Sequence, residues 1–501
     1  MNERSIATSV NAHNASFTYP LGARPGIQGV SDVSFSVSPG QCLLITGDSG
    51  SGKSTVLKLI NGLIPHFNPG ELLGTITIIK DDQAFTPAEE PLSRAIEFSA
   101  SVFQNPRTQF FTESVNAELA FGLENLGVDP KEIESRIQSA VELLGINDLR
   151  GRRFKELSGG QLQTVACACA LVSPGSLVLL DEPTSNLSME SIDILARVLH
   201  RLKELGTTII IADHRLFFLK DIADQVIYLT QGKITRSFRA QEFYALDEPE
   251  RKQLGLRSLH HVPLPASVPV PPTLENADPQ RSGLELSNIC FSYGAHEVLN
   301  IDHAFFPSGE VTALIGPNGA GKTTLARIIC GLASPKRGGS LRLNSKRVGA
   351  AARRRAAYMV MQDVGRQLFA ATTEEEVTLG LAKKKRDHID VNEILHRLDL
   401  AGMAQRHPQS LSGGQRQRLA IASAQAEQAA IYIFDEPTSG VGWRQLQSIS
   451  ALLRSLAASG AVVIVITHDH EFIQESVTRI IDMTAVSYTH LRAHETPEHL
   501  V

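Results

Sequence analysis

One set of short motifs occurs twice in this 501-residue chain, in the same order. "GDSGSGKST" starts at Gly47 and "GPNGAGKTT" at Gly316. Each is followed by an apolar run ending in glutamine ("VFQNP", "VMQDV"), by "LSGGQ", by an apolar run closing on "DEPTS", and by an apolar run closing on histidine. Ser158 and Ser412, Asp181 and Asp435, and His214 and His468 are all 254 residues apart, whereas Lys53 and Lys322 are 269 apart. The second copy is therefore 15 residues shorter (269 − 254) between its first motif and LSGGQ, a stretch expected to hold variable helices and loops. A repeat of this period is a duplicated domain, not a solenoid of small units.

The copies set the domain bounds. The first domain is expected over 1–245, a linker over 246–283, the second domain over 284–484, and an anomalous tail over 485–501. The stretch from His260 to Gly283 carries six prolines, which fit neither helix nor sheet and make an extended tether. The His-rich end, "THLRAHETPEHLV", follows no domain pattern and is expected to lie outside the fold. Within each copy apolar strand runs alternate with helical patterns, which argues an α/β fold with a mostly parallel sheet.

Composition narrows the partners. Net charge is −5, with both signs interspersed and only short basic runs at Arg353–Arg355 and Lys383–Arg386. That is not the basic excess of a nucleic-acid binder, so no nucleic acid is expected. No apolar run reaches the roughly 20 residues of a membrane helix. Any role at a membrane must use a membrane part supplied by partners, with this chain peripheral on the cytoplasmic side. The five cysteines show no CxxC spacing and no disulfide framework.

The chemistry lies in the repeated motifs. The first loop runs Gly47, Asp48, Ser49, Gly50, Ser51, Gly52, Lys53, Ser54, Thr55; the second runs Gly316, Pro317, Asn318, Gly319, Ala320, Gly321, Lys322, Thr323, Thr324. Glycines let backbone N–H groups turn inward around phosphate oxygens, and the helix that starts there adds its positive end. The lysine meets the terminal phosphates, and the hydroxyl of Ser54 or Thr323 ligates Mg²⁺. Strands "LVLLDE" and "IYIFDE" each deliver two carboxylates. Asp181 and Asp435 are expected to hold Mg²⁺; Glu182 and Glu436 are expected to polarise an attacking water. His214 and His468 close apolar strands at the same offset and are expected to reach the γ-phosphate.

These motifs, in this order and over nearly the whole chain, resemble those of ABC-type ATPases; LSGGQ is the most specific of them. The resemblance implies two tandem ABC nucleotide-binding domains, each a P-loop core with a β subdomain and a helical subdomain. It implies ATP and Mg²⁺ as cofactors and two composite sites. One joins Lys53, Ser54, Gln104, Asp181, Glu182 and His214 to Ser412, Gly413, Gly414 and Gln415. The other joins Lys322, Thr323, Gln362, Asp435, Glu436 and His468 to Ser158, Gly159, Gly160 and Gln161. Gln104 and Gln362 fall where the family contacts Mg²⁺ and water, and Tyr19 and Tyr293 where it stacks an aromatic on adenine. The chain departs from the pattern after "DEPTS". The family's Leu-Asp pair is replaced by "NLS" to Ser188 and "GVG" to Gly442, which puts communication between the sites in doubt.

The segments after the two glutamines resemble the energy-coupling factor (ECF) branch of that family. In "QNPRTQFF" and "QDVGRQLF" a Gln and an apolar pair precede an acidic helical stretch. This second resemblance implies an integral membrane T-component docking on both loops, a separate membrane S-component that binds the cargo, and import of a vitamin or transition-metal ion. Two alternatives stand beside it. Sugar-type tandem importers commonly have a degraded second phosphate loop, whereas "GPNGAGKTT" is intact. Ribosome-associated tandem ABC proteins join their halves by a charged helix, whereas this linker is Pro-rich.

Overall fold

The structure is a computed structural model that describes residues 8–21, 24–185, 187–265, 282–294, 296–336 and 338–483. The centre of the proline-rich stretch (266–281) and the tail from 484 onward lie outside the described residues. The chain forms two compact units: Met1–His261 with Gly440–Arg444, and Val262–Ser439 with Gln445–Val501.

In the first unit, β1 (Thr8–Leu21), β2 (Arg24–Val37), β4 (Glu71–Lys80) and β5 (Gln83–Phe85) form an antiparallel sheet in the order β2-β1-β4-β5. A second sheet has β10 (Lys233–Arg239), β9 (Gln225–Thr230), β3 (Cys42–Gly47), β8 (Thr208–Ala212), β7 (Leu177–Asp181) and β6 (Ser99–Val102), in that order. Its pairs are parallel except β10 with β9. Strands β3 and β8 are buried along their whole length, so their sequences CLLITG and TIIIA are continuous apolar runs and not alternating ones.

Two cores cover the faces of that sheet. One lies towards the antiparallel sheet and α1 (Lys53–Ile60), with Phe17, Val30, Leu43, Ile45, Leu57 and Ile210 among its residues. The other meets α5 (Met189–Glu204), whose buried Ile192, Leu195, Val198, Leu199 and Leu202 repeat at helical spacing. Burying each contributes roughly 1.5–3 kcal/mol. A third core joins α2 (Val115–Asn125), α3 (Pro130–Leu144) and α4 (Gly159–Val172) through Leu119, Leu123, Ile137, Val141, Leu162 and Val165. This is the helical part of the unit.

The second unit repeats the plan. Its antiparallel sheet is β12 (His296–Pro307), β11 (Gly283–Tyr293), β14 (Ser340–Leu343), β15 (Lys346–Arg347). Its parallel sheet runs β16 (Ala357–Val360), β17 (Ile431–Asp435), β18 (Val462–Ile466), β13 (Val311–Ile315), β19 (Arg479–Asp482). Its helices include α6 (Lys322–Ile329), α7 (Thr373–Thr378), α8 (Val391–Arg397), α9 (Gly413–Glu427) and α10 (Trp443–Ala458).

Two features differ from the sequence reading. Lys53 to Gln104 spans 51 positions and Lys322 to Gln362 spans 40, so 11 of the 15 missing residues fall before the glutamine. That shortening lies largely in the antiparallel sheet: β14 and β15 have four and two residues where β4 and β5 have ten and three. Residues 246–261, read as linker, belong to the first unit. Leu254, Leu256 and Leu259 are buried in its core beside Tyr228 and Phe243.

Candidate active site

The C-terminal ends of parallel strands are where α/β sheets bind ligands. In the first unit β3 delivers the phosphate loop, β7 delivers Asp181 and Glu182, and β8, lying between them, leads into His214. The loop's backbone requires glycine. Gly47 has φ 144° and Gly52 has φ 104°. A Cβ on Gly47 would stand 2.1 Å from the Leu229 carbonyl oxygen, and one on Gly52 2.6 Å from that of Gly29. Gly52 then caps α1 with no side chain in front of the helix N-terminus.

Lys53 is buried at the loop's centre. Its Nζ donates to the carbonyls of Gly47 (3.0 Å) and Asp48 (3.1 Å) and lies 3.1 Å from His214 Nε2. Burial pulls the Lys53 amine below its ordinary range, opposed by Glu182 and Asp181. Burial, reinforced by Lys53, likewise holds the His214 imidazole well below its usual pKa. Ser54 Oγ donates to Asp181 Oδ1 at 2.9 Å. Burial raises the Asp181 carboxyl, and the Ser54 hydrogen bond opposes that.

Glu182 stands in an unusual conformation. Its φ is 45°, and Glu436 in the second unit matches it at 50°. Non-glycine residues rarely adopt this region, at a cost on the order of 1–3 kcal/mol. Each is held there because its N–H must reach a neighbouring strand end: Glu182 donates to Ala212 O (2.8 Å) and Glu436 to Ile466 O (2.9 Å). Gln104 Nε2 donates to Glu182 Oε2 at 2.7 Å, and His214 Nε2 is 3.6 Å from Glu182 Oε1. Burial pushes the Glu182 carboxyl up to about 8. Lys53, Ser54, Gln104, Asp181, Glu182 and His214 thus form one connected cluster.

The second unit assembles the matching groups. Lys322 Nζ donates to Gly316 O (2.6 Å) and Pro317 O (2.9 Å). Thr323 Oγ1 donates to Asp435 Oδ2 (3.1 Å), and His468 Nε2 is 4.0 Å from Glu436 Oε1. Burial lowers Lys322 and raises Asp435.

The LSGGQ serines cap helices. Ser158 Oγ accepts from Gln161 N (3.3 Å) while Gln161 Oε1 accepts from Ser158 N (3.0 Å), at the start of α4. Ser412 and Gln415 repeat this box at α9 (3.3 and 2.8 Å). Both glycine pairs, Gly159–Gly160 and Gly413–Gly414, thereby leave a bare helix N-terminus, an anion-binding feature. Gly160 is also a packing residue, since a Cβ there would meet Ser191 Oγ at 2.3 Å. The tyrosines differ between units. Both are edge-on to a phenylalanine, Phe17 or Phe291, but Tyr19 is part-buried and 3.1 Å from Thr55 Oγ1, whereas Tyr293 is exposed.

Some contributors escaped the sequence reading. Asp213 and Asp469, both buried, hold the threonine of each DEPT turn: Thr184 Oγ1 is 2.8 Å from Asp213 and Thr438 Oγ1 is 2.7 Å from Asp469. Glu118 accepts from the backbone of Phe111 (3.0 Å) and Thr112 (2.8 Å), and Glu376 from Phe369 (2.7 Å) and Ala370 (2.6 Å). The glutamines inside the loops after Gln104 and Gln362 tie the other end: Gln109 Oε1 accepts from Phe103 N (3.0 Å) and Gln367 Oε1 from Met361 N (2.7 Å). The repeated threonine after DEP and the repeated acid seven residues after the apolar pair's second member were the available signals.

Those clamps split each apolar pair. Phe110 stacks on Phe154 with centroids 4.1 Å apart, and Leu368 is buried. Phe111 is 80% exposed and Phe369 76% exposed. The first member of each pair packs inward, Phe110 against two cores and Leu368 buried, and the second faces outward. Phe111 leans on Phe121 at 5.3 Å, along a groove that Leu63, Ile96 and Phe103 also line.

The residues at the phosphate loop fit a nucleotide with Mg²⁺. Ser51 Oγ is buried there without a hydrogen-bond partner, a Cβ on Gly47 or Gly52 would collide with neighbouring backbone, and the hydroxyls of Ser54 and Thr323 each face a strand-end aspartate. Comparison with known proteins agrees with that fit. The family described as ABC transporter matches residues 30–185 and 299–439. A Treponema denticola protein named as an ABC transporter ATP-binding protein is 39% identical over 473 residues, 94% of each chain. A Bacillus subtilis protein named for HMP/thiamine import, the ATP-binding protein YkoD, is 29% identical over 480 residues, covering 91% of this chain and 86% of its own. Among solved structures, RNase-L Inhibitor superposes with a TM-score of 0.61 at 21% identity, over 94% of this chain and 87% of that one, a likeness of fold. The chain belongs to the ABC transporter family and is an ATPase with two ABC domains fused in tandem.

Proposed function

We propose that this chain is the energising subunit of an ECF-type importer for a vitamin or transition-metal ion, peripheral on the cytoplasmic face of the membrane and coupled through a membrane T-component to S-components that bind the cargo. The observation that carries the reading is the pair of clamped loops. A phenylalanine is held in solvent at the same place in both units, Phe111 and Phe369, by carboxylates that fix the backbone behind it. An exposed aromatic beside an apolar groove suits a docked amphipathic helix. The relative named for HMP/thiamine import supports a vitamin-related cargo. No helix among the described residues is long and apolar enough to cross a membrane, so the reading requires membrane partners.

In this reading the domains are 1–245 and 284–484, as the motifs divide them, with the packed residues up to His261 serving as an extension of the first. The phosphate loops bind ATP. Lys53 and Lys322 leave their loop carbonyls for phosphate oxygens. Gln104 and Gln362 orient a water. Glu182 and Glu436 accept its proton, and His214 and His468 hold the γ-phosphate side. Ser54 with Asp181, and Thr323 with Asp435, would hold Mg²⁺ together with the glutamines; when bound, the ion neutralises phosphate charge. Each loop is completed by the LSGGQ of the other half, and Tyr19 and Tyr293 lie on the adenine side. ATP shifts the molecule only by its differential affinity for the state it completes.

Affinity purification from the native cells in mild detergent, with mass spectrometry of the co-purifying proteins, tests the proposal. A T-type membrane protein and small integral S-components are expected. Ribosomal proteins with no membrane partner would overturn it in favour of the ribosome-associated alternative, and a periplasmic-type sugar-binding system would favour the other.

A further inference from the structure

The buried carboxylate beside each histidine has changed sides between the two units. In the first unit it is Asp213, the residue before His214; in the second it is Asp469, the residue after His468. By the 254-residue offset Asp213 corresponds to Thr467, and Arg215 to Asp469. Both carboxylates are 3% exposed, and each accepts the hydroxyl of the equivalent threonine, Thr184 or Thr438.

The remaining bonds show what the relocation preserves. Asp213 accepts from the backbone of His214 (2.6 Å), Arg215 (2.9 Å) and Thr184 (3.2 Å). It fixes the β8 exit against the turn that carries Glu182. Asp469 accepts from Phe472 N (3.2 Å) and donates its own N–H to Thr467 Oγ1 (3.1 Å). Thr467 Oγ1 in turn lies 3.3 Å from Glu436 Oε2. Buried polar groups of this kind are costly unless fully bonded, so the carboxylate cannot be an idle passenger at either position.

We infer that Asp213 and Asp469 are positioning residues for ATP hydrolysis that do one task from opposite sides of the histidine: each locks the DEPT turn to the histidine strand, and so sets the catalytic glutamate against the histidine. The inference rests on Glu182 and His214 being the hydrolytic residues of their site.

The test uses the full chain, photolabelled with an azido-ATP under vanadate and then split by protease between its halves, so that vanadate-dependent trapping is read separately for each. D213N is expected to lower trapping on the first half at least tenfold with the midpoint of nucleotide binding within about twofold. The relocation variant D213T/R215D, which gives the first unit the Thr-His-Asp order of the second, is expected to restore trapping to within about threefold of the parent chain. Equal trapping by D213N and the parent overturns the inference, as does failure of D213T/R215D to exceed D213N while its thermal unfolding matches the parent's. Should D213N not fold, T184V removes only the hydroxyl that Asp213 accepts, and the same tenfold loss or its absence decides. E182Q is the control on the premise: if it keeps vanadate-dependent trapping, the site assignment fails and not the positioning step alone.

Discussion

At the scale of single residues, the phosphate loop admits little variation. Gly47→Ala would place a methyl against the Leu229 carbonyl and force a left-handed strain on the order of 1–3 kcal/mol. We expect the chain to fold but to lose ATP binding at the first site, measured by nucleotide titration, and normal affinity would contradict the geometry. Glu182→Gln keeps the shape and removes the carboxylate we propose as the base; its hydrolysis should fall roughly 10²- to 10⁴-fold with binding intact. The motif residues were legible in the sequence because their chemistry leaves few substitutes: a glycine where a Cβ collides, a lysine to span the loop. Asp213 and Asp469 were not, since a carboxylate that moves by two positions breaks the register by which repeated residues are matched. The left-handed backbone of Glu182 and Glu436 was also hidden, because nothing in "DEPT" encodes the pull of the adjoining strand end on its N–H.

At the scale of elements, the loop between the first glutamine and α2 is a clamped structure, not a loose excursion. Gln109 fixes one end and Glu118 the other. The sequence displayed the apolar pair in both halves but not its split, which is decided by an acid seven or eight residues further on. Phe110→Ser should destabilise the first unit by about 2 kcal/mol, since it removes the stack on Phe154 and packing against two cores. Phe111→Ser should stay within about 0.5 kcal/mol of the parent while uncoupling ATPase from transport in a reconstituted system. Equal destabilisation by the two substitutions, in denaturant melts, would mean that the outward ring is core after all. Glu118→Ala strands two backbone donors, worth roughly 1–3 kcal/mol each. Amide exchange at Phe111 and Thr112 should therefore accelerate well before global unfolding, and unchanged protection there would remove the clamp.

At the scale of the whole molecule, the duplication was plain in the sequence because five motifs kept their order, and the α/β class followed from apolar strand runs alternating with helical patterns. The limits of the halves were harder. Leu254, Leu256 and Leu259 are buried in the core of the first unit, yet they sit beside a stretch whose prolines dominate any compositional reading. The fused arrangement has a functional consequence if each phosphate loop is completed by the other half's LSGGQ. The tether then holds the second half at a high effective concentration, so hydrolysis in the intact chain is first order in protein. Cutting the chain within 266–281 and diluting should make the specific ATPase rate fall with concentration, whereas self-sufficient halves would keep their rate. Ser158→Arg sharpens the same argument. It places a bulky cation on the bare N-terminus of α4, in the first unit. On the composite reading it silences the site built on Lys322 and spares the one built on Lys53. Loss confined to the Lys53 site would instead make each half complete in itself, and the order of ATP-driven steps would have to be drawn for two independent engines.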